Sequence, residues 1–381
     1  MRRGAWVVCD LGFGDAGKGS ITDWLVRETG AKLVVRYNGG AQAGHTVVTD
    51  DGRAHTFAQL GSGTFVPGVR THLSRFVVVH PGGLLVEAER LARIGVHDAL
   101  ARLSIAPNAR VITPYHQAAG RLRELARGAA RHGSCGIGVG ETVADALAHP
   151  EDAVRARDLG DPRRKLARIR ERYRAELPRT NDPRVETERA VFEDDSVAER
   201  WLESLRRFRE VRLADDVVPN EPVVFEGAHG VLLDEWRGFH PHTTWTTCTF
   251  EHALDLLRDY DGEVVRLGVL RTYATRHGPG PFPTESNLDL DEPHNPTGAW
   301  QGAFRTGWLD AVLARYAALA CGGIDALALT HCDRFRPGLR MARAYEGFEP
   351  ALGPPRDLAY QEALGARVAS AKPAYDSFDT L

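Results

Sequence analysis

Trp6-Val-Val-Cys-Asp-Leu-Gly-Phe-Gly-Asp-Ala-Gly-Lys-Gly-Ser20 is the stretch on which the reading of this chain turns. An apolar strand runs into a glycine-rich turn holding one Asp and one Lys. Ser20-Ile-Thr-Asp-Trp-Leu-Val-Arg27 then follows the pattern of an amphipathic helix. Strand, glycine turn and helix N-terminus in that order build a phosphate cradle. Glycines let backbone N–H groups converge on an anion, the helix end adds partial positive charge, and Lys18 adds a full one. Gly12 to Lys18 follows the pattern G-x-x-x-x-G-K-[ST] up to its last position, where Gly19 replaces the hydroxyl that holds Mg2+. Asp15 lies inside the loop instead. A carboxylate beside a triphosphate needs a metal or a proton to justify it, so Asp15 is a candidate Mg2+ ligand or general base. The competing reading is a tight strand-to-helix turn with a solvated Asp and Lys.

The composition sets the outer limits. With 381 residues, 43% hydrophobic and 26% charged, the chain suits a globular protein with an ample core. A net charge of −3 gives no basic surface, so nucleic acid is not the default partner. No apolar run approaches the roughly 20 residues of a membrane span, and Met1-Arg-Arg-Gly4 passes into a strand without room for a signal peptide. Cys9, Cys135, Cys248, Cys321 and Cys332 lack C-x-x-C spacing, and their odd number argues against a disulfide framework. A reduced, cytoplasmic protein is expected.

Strand-like runs recur at Trp6–Cys9, Leu33–Arg36, Phe76–Val79, Arg110–Ile112, Pro222–Phe225, Val264–Val269 and Ala326–Leu329, with helical patterns between many of them. This alternation predicts an α/β fold with a mainly parallel central sheet and a P-loop-like nucleotide site. Residues 150–212 are rich in Arg, Glu and Asp, with breaks at Asp161-Pro162 and Asn181-Asp-Pro183. They read as solvated helices forming a peripheral helical subdomain inserted in a single domain.

In α/β sheets ligands sit beyond the carboxyl ends of strands, so the loops there carry the chemistry. Arg36-Tyr-Asn-Gly-Gly-Ala-Gln-Ala-Gly-His-Thr46 is a polar glycine-rich turn in which Asn38, Gln42, Gly44, His45 and Thr46 are candidates, His45 either functional or structural. Phe225-Glu-Gly-Ala-His-Gly230 leads to Thr243-Thr-Trp-Thr-Thr247, whose hydroxyls suit a phosphate or a base edge; a Thr-rich edge strand is the alternative. Thr275-Arg-His-Gly-Pro-Gly-Pro-Phe-Pro-Thr-Glu285 is a confined loop from which Arg276 projects, a fork suited to a carboxylate, or else a solvated surface Arg. Ala326-Leu-Ala-Leu-Thr-His-Cys-Asp333 reads as a buried strand ending at an Asp that either accepts from guanine N1 and its amine or caps the next turn.

Taken in order, these segments resemble the adenylosuccinate synthetase family. The family's W-G-D-E-G-K-G-K corresponds to Phe13 to Ser20, R-Y-Q-G-G-x-N-A-G-H-T to Arg36 to Thr46, and P-Y-H-x-A to Pro114 to Ala118. Its F-E-G-A-Q-G-x-x-L-D corresponds to Phe225 to Asp234, T-R-V-G-x-G-P-F-P-T-E to Thr275 to Glu285, and R-T-G-W-L-D to Arg305 to Asp310. The resemblance implies a ligase that joins L-aspartate to position 6 of IMP through a 6-phosphoryl intermediate, with GTP as donor, Mg2+ and a homodimer. It implies Asp15 as base at N1 and metal ligand, the Gly44 carbonyl as a second ligand, and His45 as stabiliser of the phosphoryl group in transfer. Gly14, Gly17, Lys18, Gly19, Gly44, His45, Thr46 and Asp333 would hold the donor nucleotide. Asn38, Gln42, Ser134, His229, Thr244, Thr275, Arg276 and Arg305 would hold purine monophosphate and aspartate.

The chain departs from the pattern at several places. The family's Gln in E-G-A-Q-G is His229, and the Lys of T-K-x-D is His331. The C-terminal S-x-G-P-D shrinks to Ser370-Ala-Lys-Pro373, the arginine run before R-T-G-W-L-D to Gln301-Gly-Ala-Phe-Arg305, and no arginine pair follows in Gly136 to His149. With Thr243–Thr247 and Trp300-Gln-Gly302, these changes are similar to the branch that includes phage 2-aminoadenylosuccinate synthases, which act on dGMP and use ATP. Asp15 counts against that branch, part of which is expected to carry a small hydroxyl residue there; it fits a hypoxanthine or a guanine whose N1 proton must leave, so both substrates stay open, with IMP ahead of dGMP. A nucleotide-binding switch without ligase activity, and a ligase of secondary metabolism, are the readings from other classes.

Overall fold

The computed structural model describes residues 4–178, 182–208, 211–216, 221–290, 292, 300, 302–335 and 338–377. The Asn181 break and Gln301 lie outside the described residues. Eight strands make one sheet: β1 (Gly4–Asp10), β2 (Leu33–Arg36), β3 (Arg70–Leu73), β4 (Leu103–Ile105), β5 (Arg212–Leu213), β6 (Val223–Gly230), β7 (Glu263–Arg271) and β8 (Ala326–Thr330). Their spatial order is β8-β7-β1-β6-β2-β3-β4-β5, and every neighbouring pair is parallel. The chain leaves β1 toward one edge, returns as β6 into the slot between β1 and β2, and crosses to the other side as β7 and β8. The reversal therefore centres on β1, and the loops beyond the carboxyl ends of β1, β2, β6 and β7 meet there.

The pleat sorts the apolar side chains. Ala5, Val7, Cys9, Leu33, Val35, Val223 and Phe225 enter one core cluster with Phe239, Phe250 and Tyr316. Their alternates Val8, Val34 and Val224 enter another, with Leu25 and Val26 of helix α1 (Lys18–Thr29). Covered on both faces, the central strands read as continuous apolar runs, as parallel sheets require. Helix α1 begins after Gly17 (φ 88°) and ends at Gly30 (φ 68°), both in the left-handed region that glycine adopts without penalty. It starts at Lys18, two residues before the expected Ser20.

The Pro-Tyr-His run at residues 114–116 is a folding device. Pro114 opens the helix Pro114–Arg127, the Thr113 hydroxyl accepts from His116 N at 3.3 Å, and His116 Nδ1 accepts in return from Thr113 N at 3.2 Å. Tyr115 is fully buried and His116 Nε2 meets Asp145 at 3.1 Å.

Within 150–212 the helices Arg163–Glu176, Val185–Glu193 and Asp195–Arg206 turn charged faces outward. Leu166, Ile169, Phe192 and Trp201 from their inner faces join the same core cluster as Tyr115 and Leu122. A second sheet follows β7: Tyr273–His277 is antiparallel to Phe304–Asp310, which lies parallel to Arg340–Tyr345, which pairs antiparallel with Pro373–Ser377.

One expectation is corrected. β8 is the sheet's edge, with Leu327 54% and Leu329 44% exposed, so it is not a buried strand. The segment 243–249 is irregular, which rules out the alternative of an edge strand; the Thr246 hydroxyl and the Thr247 carbonyl bond to the turn after β2. Among the described residues no helix is long and apolar enough to cross a membrane. The five cysteines are free.

Candidate functional site

The glycine loop after β1 is organised by a residue the motif reading passed over. Asp10, fully buried, accepts from Gly12 N at 2.8 Å, Ala16 N at 2.9 Å and Lys18 Nζ at 3.1 Å. Two backbone donors and an ammonium offset the desolvation of this carboxylate, and together they fold the loop into an arc. Gly14 (φ 99°), Asp15 (φ 62°) and Gly17 (φ 88°) take the left-handed conformations the arc demands. The Thr330 hydroxyl, at the end of β8, donates to the Ala16 carbonyl at 2.7 Å. Gly230, at the end of β6, lies against the loop so closely that a Cβ there would fall 2.1 Å from the Gly12 carbonyl oxygen.

Gly19 explains the break in the triphosphate pattern. A Cβ on Gly19 would lie 2.9 Å from His45 Cβ and 3.2 Å from the Thr46 carbonyl oxygen. The strand His45–Val48 occupies the space where a P-loop hydroxyl would stand, with its backbone and the His45 Cβ against Gly19.

His45 is held from behind. Its Nδ1 lies 2.6 Å from Glu226 Oε1, and Glu226 also accepts from Ser62 N at 2.9 Å and from the Ser62 hydroxyl. Burial raises a carboxyl pKa, but Arg36 and His45 prevail and bring Glu226 down to about 2. Burial pushes His45 down to about 4 despite Glu226. The pair is therefore a carboxylate and a neutral ring whose Nδ1 carries the proton, which leaves Nε2 buried and without a partner. Glu226 and Ser62 were not singled out from sequence. The legible signal was a lone Glu inside the apolar run Val223-Val-Phe-Glu226.

His229 stands at φ 60° just past Gly227 and Ala228, and neither ring nitrogen has a partner. Burial, with Lys18 next in effect, pushes it down to about 3, so it is neutral. Its Cε1 is 3.4 Å from where a Gly39 Cβ would be. Asn38 is consumed as a clip: its amide donates to the Thr247 carbonyl at 2.7 Å while its oxygen accepts from Ala228 N at 2.6 Å. Gln42 keeps a buried Oε1 without a partner. The Thr46 and Thr56 hydroxyls pair at 2.9 Å, and Thr244 N donates to the Leu233 carbonyl at 2.8 Å.

Arg276 does not project. It is 1% exposed, and its guanidinium donates to the carbonyls of Pro279, Pro281 and His242 at 3.1, 3.1 and 3.3 Å. It lies 4.2 Å over the Phe13 ring, and burial with Arg305 nearby pushes its pKa down to about 9. Arg305 donates to the carbonyls of Gly278 and Gly280 and pairs with Glu285. Both arginines fix the glycine–proline turn from inside, because its prolines leave carbonyls without backbone donors. Thr275 lines a cavity of about 40 Å³ shared with Asp10, Gly12, Phe13, Arg271 and Asp310, and its hydroxyl there has no partner. The next residue but one, His277, brings Nε2 to 3.5 Å from Asp15 Oδ2. Burial pushes the Asp15 carboxyl up, against the influence of His277 and Lys18.

The glycine loop with Asp15 and Lys18 thus touches His45 through Gly19, the His229 segment through Gly230, β8 through Thr330, and His277. Ser134 and Asp333 are engaged elsewhere. The Ser134 hydroxyl accepts from Gly136 N at 3.2 Å in a turn packed on Trp300, and Asp333 pairs with Arg334 at 3.2 Å with 73% of its side chain exposed. His331 turns inward to Arg271, 2.7 Å from its Nη2. Among the described residues no group of three or more His, Cys, Asp or Glu gathers to hold a metal ion. The Asp15 carboxylate, a glycine loop drawn into an arc on Asp10 with the Lys18 ammonium, and two neutral imidazoles with free nitrogens suit phosphoryl transfer to a polar, uncharged acceptor.

A family model for adenylosuccinate synthetase matches residues 7–379. Adenylosuccinate synthetase of Neisseria gonorrhoeae is 34% identical over 342 residues, covering 86% of this chain and 76% of that one. The enzyme of that name from Frankia alni is 35% identical over 339 residues, covering 86% and 77%. The fully ligated adenylosuccinate synthetase structure from Plasmodium falciparum superimposes with a TM-score of 0.74 at 23% identity, over 98% of this chain and 87% of that one. Succinoaminodeoxyadenylate synthetase of cyanophage S-2L, bound to dGMP and to dATP as an energy donor, gives 0.58 at 21% identity, over 86% and 85%. At these identities the two structures speak to the shared fold.

Proposed function

The chain belongs to the adenylosuccinate synthetase family, and from that premise we propose that this carbon–nitrogen ligase joins L-aspartate to the 6-position of IMP, consuming GTP and releasing GDP and phosphate. The observation that carries the reading is Gly19 lying directly beneath His45, whose Nε2 is buried and unpartnered.

A lactam oxygen is a poor leaving group, so the reaction must activate it. Asp15 takes the proton from purine N1, and the electron pair released makes O6 the nucleophile toward the γ-phosphoryl group. Burial raises the pKa of the Asp15 carboxyl, which makes it a better proton acceptor. His45, fixed through Nδ1 by Glu226, turns Nε2 to the transferring group, and the added phosphate charge favours a second proton on that ring. Lys18 and the loop N–H groups hold phosphates. The aspartate amine then attacks C6, and phosphate departs with O6. By family likeness Asp15 and the Gly44 carbonyl would hold Mg2+, which would neutralise charge on the donor phosphates.

A second reading, 2-aminoadenylosuccinate synthesis from dGMP with ATP or GTP, draws on His229 in place of the family's Gln and on His331 turned to Arg271. By family likeness we place the enzyme in the cytoplasm as a homodimer. The test is a matrix of IMP, GMP and dGMP against GTP and ATP, with and without aspartate. Aspartate-dependent phosphate release, greatest with IMP and GTP, is the expected result; the largest rate with dGMP would establish the second reading. Hydrolysis indifferent to aspartate and to the monophosphate would overturn both.

A further inference from the structure

In T-R-V-G-x-G-P-F-P-T-E, the third position holds Val in the family pattern and His277 here. The structure turns that departure into a contact with the proposed base. His277 Nε2 stands 3.5 Å from Asp15 Oδ2, with the two side chains 19% and 26% exposed. Both ends of the contact are fixed. Asp15 is set by a left-handed turn between glycines, a conformation a non-glycine residue holds only when its surroundings dictate it. His277 ends the strand Tyr273–His277, pairs with Phe304 across the hairpin, and lies tilted against that ring at 4.8 Å. The next residue, Gly278, donates its N–H to the Ala303 carbonyl at 2.9 Å. The ring's other nitrogen, Nδ1, is buried without a partner. Of the other cations that act on Asp15, Lys18 lies on Asp10 at 3.1 Å, and Arg271 lies on Glu292 and His331 at 2.9 and 2.7 Å.

We propose that His277 is a positioning residue for Asp15: its Nε2–H holds one carboxylate oxygen so that the other is presented to the purine N1 proton. An otherwise unanchored carboxylate samples several rotations, and near-attack geometry tolerates little error. At 3.5 Å the contact needs only a small rotation to close to hydrogen-bond length, as such contacts do when substrate arrives. Valine, with no donor, leaves Asp15 to other means. The inference rests on the ligase reading for the role of Asp15, but the contact itself does not.

The test compares wild type with His277→Val and His277→Gln. Steady-state phosphate release with aspartate, IMP and GTP should show kcat reduced about tenfold to a hundredfold in His277→Val, with KM for both nucleotides within about threefold. His277→Gln, which can place an amide N–H where Nε2 was, should recover most of that loss. A His277→Val enzyme with kcat within twofold of wild type overturns the proposal, and so does a His277→Gln enzyme as impaired as His277→Val. A second measurement needs no turnover. In histidine-15N-labelled protein, the His277 ring signals, assigned by their loss in His277→Gln, should move on Asp15→Asn. Unmoved signals overturn the pairing whatever the reaction is, whereas absence of aspartate-dependent turnover in wild type overturns the ligase reading alone.

Discussion

Replacing Glu226 by Gln strikes the support of His45 without touching the ring. Glu226 is fully buried in the middle of the sheet and accepts from His45 Nδ1, Ser62 N and the Ser62 hydroxyl. Two routes give the cost. Its pKa is drawn from an ordinary 4.5 to about 2, which corresponds to about 3 kcal/mol in favour of the charged form. Removing one member of a buried ionic group costs about 3–5 kcal/mol, because the remaining charge, here Arg36 at 2% exposure, is stranded. Gln with its NH2 where Oε1 stood makes His45 Nδ1 an acceptor, which moves the ring proton to Nε2. Urea denaturation should therefore show a loss of about 3 kcal/mol. Aspartate-dependent phosphate release should fall about a hundredfold in kcat, because the ring loses the partner that fixes its tautomer and direction, while nucleotide KM values change little. A loss under about 1 kcal/mol together with an unchanged kcat would refute the reasoning.

Gly19→Ser, which restores the triphosphate-loop hydroxyl, should push the His45 strand away, cost about 1–3 kcal/mol by thermal melting and lower kcat rather than raise it. Asp15→Ala and His45→Ala should each abolish ligation at retained fold, checked by product formation and circular dichroism; near-wild-type kcat in either would remove it from the chemistry. Arg276→Lys cannot make the three carbonyl contacts and should lower Tm by about 2–4 °C in a chain of this size, read by differential scanning fluorimetry. Acidification should destabilise the fold between about pH 6.5 and 4. His45, His229, His252 and His331 are held neutral to about 4 or below, so in that window the unfolded chain binds protons the folded one refuses. Five carboxyls raised by burial, Asp15, Glu188, Asp234, Glu235 and Asp310, act with the opposite sign there, against seven lowered histidines once His80, His132 and His242 are added, so urea midpoints should fall as pH is lowered.

The fold was legible because the central strands are apolar on both faces, and β1, β2 and β6 run into glycine turns, so β1, β2, β6 and β7 were all anticipated. β3 and β4 were not: Arg70-Thr-His-Leu73 and Leu103-Ser-Ile105 are short, and their polar members look like loop until neighbours bury them. Among site residues, glycines and His45 stood out because the backbone geometry they permit is local. Glu226 was missed because its partners lie on other elements, 164 residues away for Ser62; Asp10 was missed although its partners follow in the same loop, because it reads as the last residue of an apolar strand. Arg276 was misread for the complementary reason. A guanidinium next to glycines and prolines looks available, yet the prolines themselves create the carbonyls that capture it.

The strand that fastens the glycine loop through Thr330 is also the margin of the sheet. Marginal strands fray first, and here fraying would unlatch the Ala16 carbonyl and slacken the phosphate arc while the interior strands stay intact. Amide exchange of Gly14 to Lys18 should then keep pace with that of Ala326 to Thr330 rather than with β1, and a triphosphate in the loop should slow both together.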